Sequence, residues 1–273
     1  MFKIFDLHND YFFKLNSETK KNDYFLKNDE YIDKVMTAIW TSELNEAESF
    51  SALERAREYI NKTNKALLAI EDLHFLSKEN FDLFLKYRPV YAGLVWNRTN
   101  CIAGGAFESG RLTSFGKKVV KEFEKNDIVI DTAHLNEESF ADVLKCASKP
   151  LICSHTACFG KNEYKRNLKD YQIKEIIKTG GIVGLSLVSS FLNGTNKSTV
   201  SDVVSHIDYF ACKFGINHLA IGTDFFGTDH ITKNLENYKK LSVMLSSELL
   251  KMGYTEKSIN KIFFENASNF FGF

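Results

Sequence analysis

Apolar runs of three to seven residues recur along the chain, and between them apolar positions return every three or four residues. The runs are Ile4 to Leu7, Val35 to Trp40, Ala66 to Ile70, Val90 to Trp96, Ile128 to Asp131, Leu151 to Cys153, Ile182 to Leu187 and Leu219 to Thr223. Short, nearly continuous apolar runs read as strands buried on both faces, which is the habit of parallel sheets. The intervening segments have helical periodicity. Val203, Val204, Ile207, Phe210, Ala211 and Phe214 share one face, with Ser201 as the expected cap and Gly215 as the stop. Ser114 and Asn136 are the expected N-caps of two further helices. Eight such strands alternating with helices predict an α/β fold, a TIM-type (β/α)8 barrel formed by residues 1–273 as a single domain. The competing arrangement, an open doubly wound sheet, lacks the glycine-rich phosphate loop that would support it. The aromatic tail from Phe263 to Phe273 predicts a last helix packed on the barrel.

Composition narrows the function without naming it. Lys plus Arg equals Asp plus Glu at 35 each, so the net charge is zero and no basic or acidic footprint suggests nucleic acid or a membrane surface. Small-molecule substrates fit better. No apolar segment approaches a membrane span, and Met1 to Asp6 opens with no signal-peptide core, so a cytoplasmic location is expected. The five cysteines are odd in number and sit mostly within apolar runs, which argues against a disulfide framework. The oligomeric state is left open, a homodimer included.

The candidate chemistry lies at the ends of the predicted strands. His134 closes one run, His155 closes the next 21 residues later, and the first run leads into Asp6-Leu-His8-Asn-Asp10. Any one of these histidines alone reads as an ordinary polar residue near a strand end. Three at the same relative place read as a metal site, because residues i and i+2 of a strand point the same way and zinc accepts imidazole and carboxylate. Glu71 ends the third run and Asp224 follows the eighth. Two metals about 3.5–4 Å apart need a shared ligand, and a two-oxygen carboxylate such as Glu71 suits that role. His8 and Asp10 would complete one metal, His134 and His155 the other. A bridging water ionised to hydroxide would be the nucleophile, and Asp224 the proton acceptor and shuttle.

These segments, together with Arg166-Asn167 and the spacing from His134 to His155 to Arg166, resemble the renal (membrane) dipeptidase family of binuclear zinc peptidases, part of the amidohydrolase-like barrels. The matching segments are Asp6-Leu-His-Asn-Asp10, Ile70-Glu71, Asp131-Thr-Ala-His134, Ser154-His-Thr-Ala157 and Gly222-Thr-Asp-Phe225. The resemblance implies two zinc ions, or other divalent metals, on His8, Asp10, Glu71, His134 and His155, proton handling by Asp224, and recognition of a dipeptide's free carboxylate by Arg166. A planar guanidinium suits that task because it binds carboxylate bidentately and stays charged.

The chain departs from the family at four places. A family histidine after the fourth strand is here Trp96, in Leu94-Val-Trp-Asn-Arg-Thr-Asn100; Trp96 is expected to face the substrate, and Asn97, Arg98 or Asn100 are candidates to take over the histidine's contact with it. A family tyrosine at the seventh strand aligns with Val188, Glu71 is followed by Asp72 in place of glycine, and the segment between Asp10 and Glu71 is short. Cys153 and Cys158, flanking His155, are read as core, and His230 as a residue of the loop after Asp224 within reach of the substrate. The expected function is metal-dependent hydrolysis of dipeptides. The alternatives are a related amidohydrolase acting on an N-acyl amino acid, lactone or phosphoester, and a metal-binding homologue without catalysis.

Overall fold

Eight parallel strands close on themselves in sequence order, β1 to β8, with β8 hydrogen-bonded back to β1 through the pair Asp6 and Ile221. The computed structural model describes residues 1–12 and 25–273. The strands are β1 (Ile4–Asn9), β2 (Ile32–Trp40), β3 (Ala66–Glu71), β4 (Tyr91–Gly93), β5 (Val129–Asp131), β6 (Leu151–Thr156), β7 (Val183–Leu185) and β8 (Leu219–Ile221). The expected barrel is therefore the observed one, and each predicted run overlaps a strand. The ends differ. The fourth and eighth runs extend past their ladders, because Leu94 to Trp96 and Gly222 to Thr223 leave the sheet where the chain turns over the barrel mouth.

Helices cover the outside. The longer ones are α1 (Glu46–Ile60), α2 (Ser114–Lys125), α3 (Glu137–Cys146), α4 (Asp170–Lys178) and α5 (Val200–Phe214). Asn136 caps α3 as expected, its side chain accepting from the Ser139 amide. Two caps are corrected. Thr113, one residue ahead of Ser114, accepts from the Gly116 amide, so Ser114 is already helical. Ser201 likewise lies inside α5, whose first turn is held by the Asp202 carboxylate accepting from the amide and hydroxyl of Thr199. Gly215 ends α5 with φ +77, a left-handed value that a side chain would strain.

The C-terminal tail forms helical turns, Glu256–Asn260, Lys261–Glu265 and Asn266–Phe271, against the strand N-termini. Phe263 is fully buried and Phe271 stacks on Phe5 with centroids 5.9 Å apart. Apolar side chains from Phe5, Leu7, Met36, Ala69, Tyr91 and Ile152 form a second core cluster beside the main one. The opposite mouth, at the strand C-termini, is left for loops, and functional residues of such barrels gather there. Among the described residues, no helix is long and apolar enough to cross a membrane.

Candidate active site

His8, Asp10, Glu71, His134, His155 and Asp224 converge at the C-terminal mouth, delivered by the ends of β1, β3, β5, β6 and β8. Backbone pairing between β1 and the segment after β8 brings the first and last together: the Asp10 amide donates to the Phe225 carbonyl at 2.8 Å and the Asp224 amide to the His8 carbonyl at 3.0 Å. Beneath them the buried Asp6 accepts from the Thr223 hydroxyl and the Tyr238 hydroxyl, each at 2.6 Å, and from the Thr223 amide at 2.8 Å. His134 and Asp224 both hold left-handed backbone, φ 67 and 62, as residues that swing a side chain back over a strand end.

Glu71 sits in the middle. Its Oε1 is 2.7 Å from His134 Nε2, 3.6 Å from His155 Nε2 and 3.9 Å from His8 Nε2. The Nε2 atoms of His134 and His155 face each other at 2.9 Å. His8 Nε2 lies 3.6 Å from Asp10 Oδ2 and 4.0 Å from Asp224 Oδ1. Three overlapping sets of ligand atoms lie within 4.8 Å of one another: His8 with Asp10 and Glu71, Glu71 with His134 and His155, and His8 with His155 and Asp224. The first two are the expected division about Glu71. The third places Asp224 in the cluster as well as beside it.

The outward nitrogens of all three imidazoles are tied down. The Tyr91 hydroxyl donates to the Leu7 carbonyl at 2.9 Å, so its oxygen accepts from His8 Nδ1 at 2.8 Å. The Ser154 hydroxyl donates to Asp131 Oδ2 at 2.6 Å and accepts from His155 Nδ1 at 2.9 Å. His134 Nδ1 donates to Asn97 Oδ1 at 3.0 Å. With the proton held on Nδ1, each ring presents its Nε2 lone pair to the cluster, the arrangement that metal-ligating histidines need. His8 Nε2 and Asp10 Oδ1 are buried without a hydrogen-bond partner among the described residues. Buried polar atoms are costly unless paired, so a donor set of this kind fits a cation.

Charge distribution points the same way. Burial, reinforced by the charge of Asp10, lifts the Glu71 carboxyl well above its ordinary range and Asp224 to about 7. Burial and the charges of Arg166 and His8 hold His134 and His155 well below the usual imidazole value. For His8 burial opposes protonation, but the adjacent carboxylate of Asp10, with those of Glu71 and Asp224, raises it to about 10. The carboxyls crowded on this dry floor thus resist ionising together, a cost that a bound cation would relieve.

Above the floor lies a cavity of about 390 Å³, within the size range of small-molecule sites. Its walls include Trp40, Trp96, Asn97, Phe107, Tyr164, Arg166, Val188 and Phe191. Arg166 is buried, stacks its guanidinium 5.2 Å from the Phe191 ring centre, and donates from Nη2 to His155 Nε2 at 2.8 Å. Its Nε has no partner among the described residues. Asn97 reaches the cavity, yet its side-chain oxygen is engaged by His134, so it supports an imidazole as much as it faces a ligand.

Three other readings change. Asn100 donates to Asp72 and to the Leu94 carbonyl, and Arg98 is exposed, so neither lines the cavity. His230 is exposed and is not part of the lining either. Cys153 and Cys158 hold to expectation: they are buried core thiols, pushed up in pKa by burial. Asp72 holds a left-handed backbone at φ 72 and uses its carboxylate to accept from the His74 amide and Asn100. Tyr91, Ser154 and Asp131 received no role from the sequence, although the last two stand within the family-like segments around His134 and His155.

Residues 17–271 match the sequence family described as membrane dipeptidase, peptidase family M19. The chain belongs to that family. It is a hydrolase of the metallo-dipeptidase class. The same barrel fold is seen in solved structures. A metallo peptidase from Rhodobacter sphaeroides, liganded with a phosphinate mimic of the dipeptide L-Ala-D-Ala, is 20% identical, with a TM-score of 0.88 over 100% of this chain and 99% of that one. A protein described as dipeptidase AC of family M19 is 20% identical, with a TM-score of 0.87 over 99% and 98% of the two chains. An amidohydrolase from Pseudomonas aeruginosa is 19% identical, with a TM-score of 0.81 over 98% and 95%. At these identities the likeness is one of fold.

Proposed function

We propose that this M19 barrel hydrolyses dipeptides bearing a free C-terminal carboxylate, and that it does so with two divalent metal ions, zinc being the ion its donors suit best. The observation that carries the proposal is the set of three imidazoles, each fixed through Nδ1, whose Nε2 atoms surround Glu71 beside a buried arginine. His8, Asp10 and Glu71 would hold one ion, and Glu71, His134 and His155 the other. Once bound, the ions would supply Lewis acidity toward the scissile carbonyl and lower the pKa of a coordinated water.

The remaining work belongs to the chain. Arg166, desolvated and planar, donates to the substrate's terminal carboxylate and fixes which bond lies over the floor. Asp224, held up to about 7 by burial and by Asp10, is suited to take a proton near neutral pH and return it to the leaving amine. The aromatic walls exclude water and strengthen both interactions.

Turnover of free dipeptides, their C-terminal amides and an N-acyl amino acid by zinc-loaded protein tests the reading. Free dipeptides should be cleaved and amides should be poor substrates. Equal cleavage of amides would remove Arg166 from carboxylate recognition, and turnover of the N-acyl amino acid alone would move the enzyme to the amidohydrolase alternative.

A further inference from the structure

We propose that Trp40 and Trp96 form the subsite for the side chain of the substrate's N-terminal residue and that they select a bulky apolar or aromatic one. The inference rests on the dipeptide reading above and adds to it a substrate class.

The placement follows from the barrel. Trp40 is the last residue of β2 and is in register with Glu71 on β3; Trp96 follows β4. Their rings meet edge to face at 5.2 Å, and Trp96 lies 6.1 Å from the His134 ring. Arg166, Val188 and Phe191 come from the segments after β6 and β7, on the other side of the closed ring of strands. A dipeptide is short, with its two Cα atoms about 3.8 Å apart. With its carboxylate on Arg166 and its peptide bond over Glu71, its N-terminal residue must extend toward the β2–β4 side, where the tryptophans stand.

The chemistry of that side is apolar. Apart from the floor carboxylates, the described lining residues there carry no charge that could pair with an acidic or basic side chain. Two half-buried indoles offer broad apolar faces, and aromatic pairs add to the gain from burial.

The composition supplies a direct readout. Trp40 and Trp96 are the chain's two tryptophans, so intrinsic tryptophan emission reports this subsite and nothing else. For zinc-loaded wild type, kcat/KM for Leu-Ala should exceed that for Gly-Ala by at least roughly tenfold, the discrimination available to an apolar pocket, and Trp40→Ala or Trp96→Ala should each reduce that ratio to about threefold or less. Independently, a phosphinate dipeptide mimic with a leucine-like N-terminal side chain should shift wild-type tryptophan emission well beyond the effect of its glycine-like counterpart. This holds the proposal to account even if a variant fails to fold. Dipeptide turnover with an unchanged Leu-to-Gly ratio in both variants, a wild-type preference for Asp-Ala or Lys-Ala, or equal emission shifts with the two mimics would overturn the subsite alone. Failure to cleave any dipeptide would overturn the dipeptide reading and the subsite with it.

Discussion

His134 donates from Nδ1 to the side-chain oxygen of Asn97 at 3.0 Å, and its Nε2 meets Glu71 Oε1 at 2.7 Å. The first contact sets the tautomer and so decides what the second nitrogen can do. Tyr91 and Ser154 do the same for His8 and His155, which makes these three polar residues, and not only the ligands, part of any metal centre here.

Asn97→Ala should therefore weaken metal binding by roughly 10–100-fold, the usual cost of losing a ligand's supporting acceptor. Asn97→Asp keeps an acceptor and should retain most of the affinity. Titration against a coloured chelator checks both. Equal affinities for Asn97→Ala and wild type would show that the His134 ring is oriented by packing alone.

Glu71 and Asp224 should separate metal assembly from proton transfer. Glu71→Ala removes the central carboxylate and should lower metal content and rate together. Asp224→Asn should retain metal and lose mainly kcat, by roughly 10²–10⁴-fold for a general base. Because Asp224 also stands within ligand reach of His8 and His155, elemental analysis of Asp224→Asn is informative in itself: loss of one ion would reassign Asp224 from proton acceptor to ligand.

Gly227 closes against the same carboxylates. A Cβ there would overlap Asp10 Oδ2 and lie 2.7 Å from Asp224 Oδ1. Gly227→Ala should thus impair metal loading and kcat while Tm, set by the barrel core, changes little. A variant with full metal content and full activity would mean that the loop yields and that the close approach has no bearing on the site.

Asp6 carries a prediction about stability. Asp6→Ala strands the buried Thr223 and His8 amides and the Tyr238 hydroxyl, and leaves the Thr223 hydroxyl only its longer contact to the His8 carbonyl. At about 1–3 kcal/mol for each buried donor left unmade, the total should be on the order of 3–5 kcal/mol. Denaturant unfolding measures it. A loss below about 1 kcal/mol would imply that water replaces the carboxylate.

The barrel and the clustering of the candidate ligands were legible because both follow from local pattern. Strands buried on both faces appear as apolar runs, and polar residues that end such runs stand out. His8, Glu71, His134 and His155 are of that kind. What supports them was not legible, since Tyr91 reaches His8 across 83 positions and no periodicity links the two. Ser154 and Asp131 sit inside strands and look like ordinary buried polar residues until their partners are seen. Adjacent hydroxyls at Thr113 and Ser114 cannot be told apart as caps by pattern, because the difference is one of backbone angle. Trp96 was placed near the substrate by the resemblance, but its edge-to-face pairing with Trp40, which lies on another strand, was visible only in three dimensions.

The binuclear centre is the claim on which the rest depends, and metal reconstitution tests it most directly. Protein stripped by chelator should lack dipeptidase activity, and activity should return as zinc is added until two ions are bound per chain, as counted by elemental analysis. Full activity in the stripped protein, or a plateau at one ion per chain with complete turnover, would contradict it.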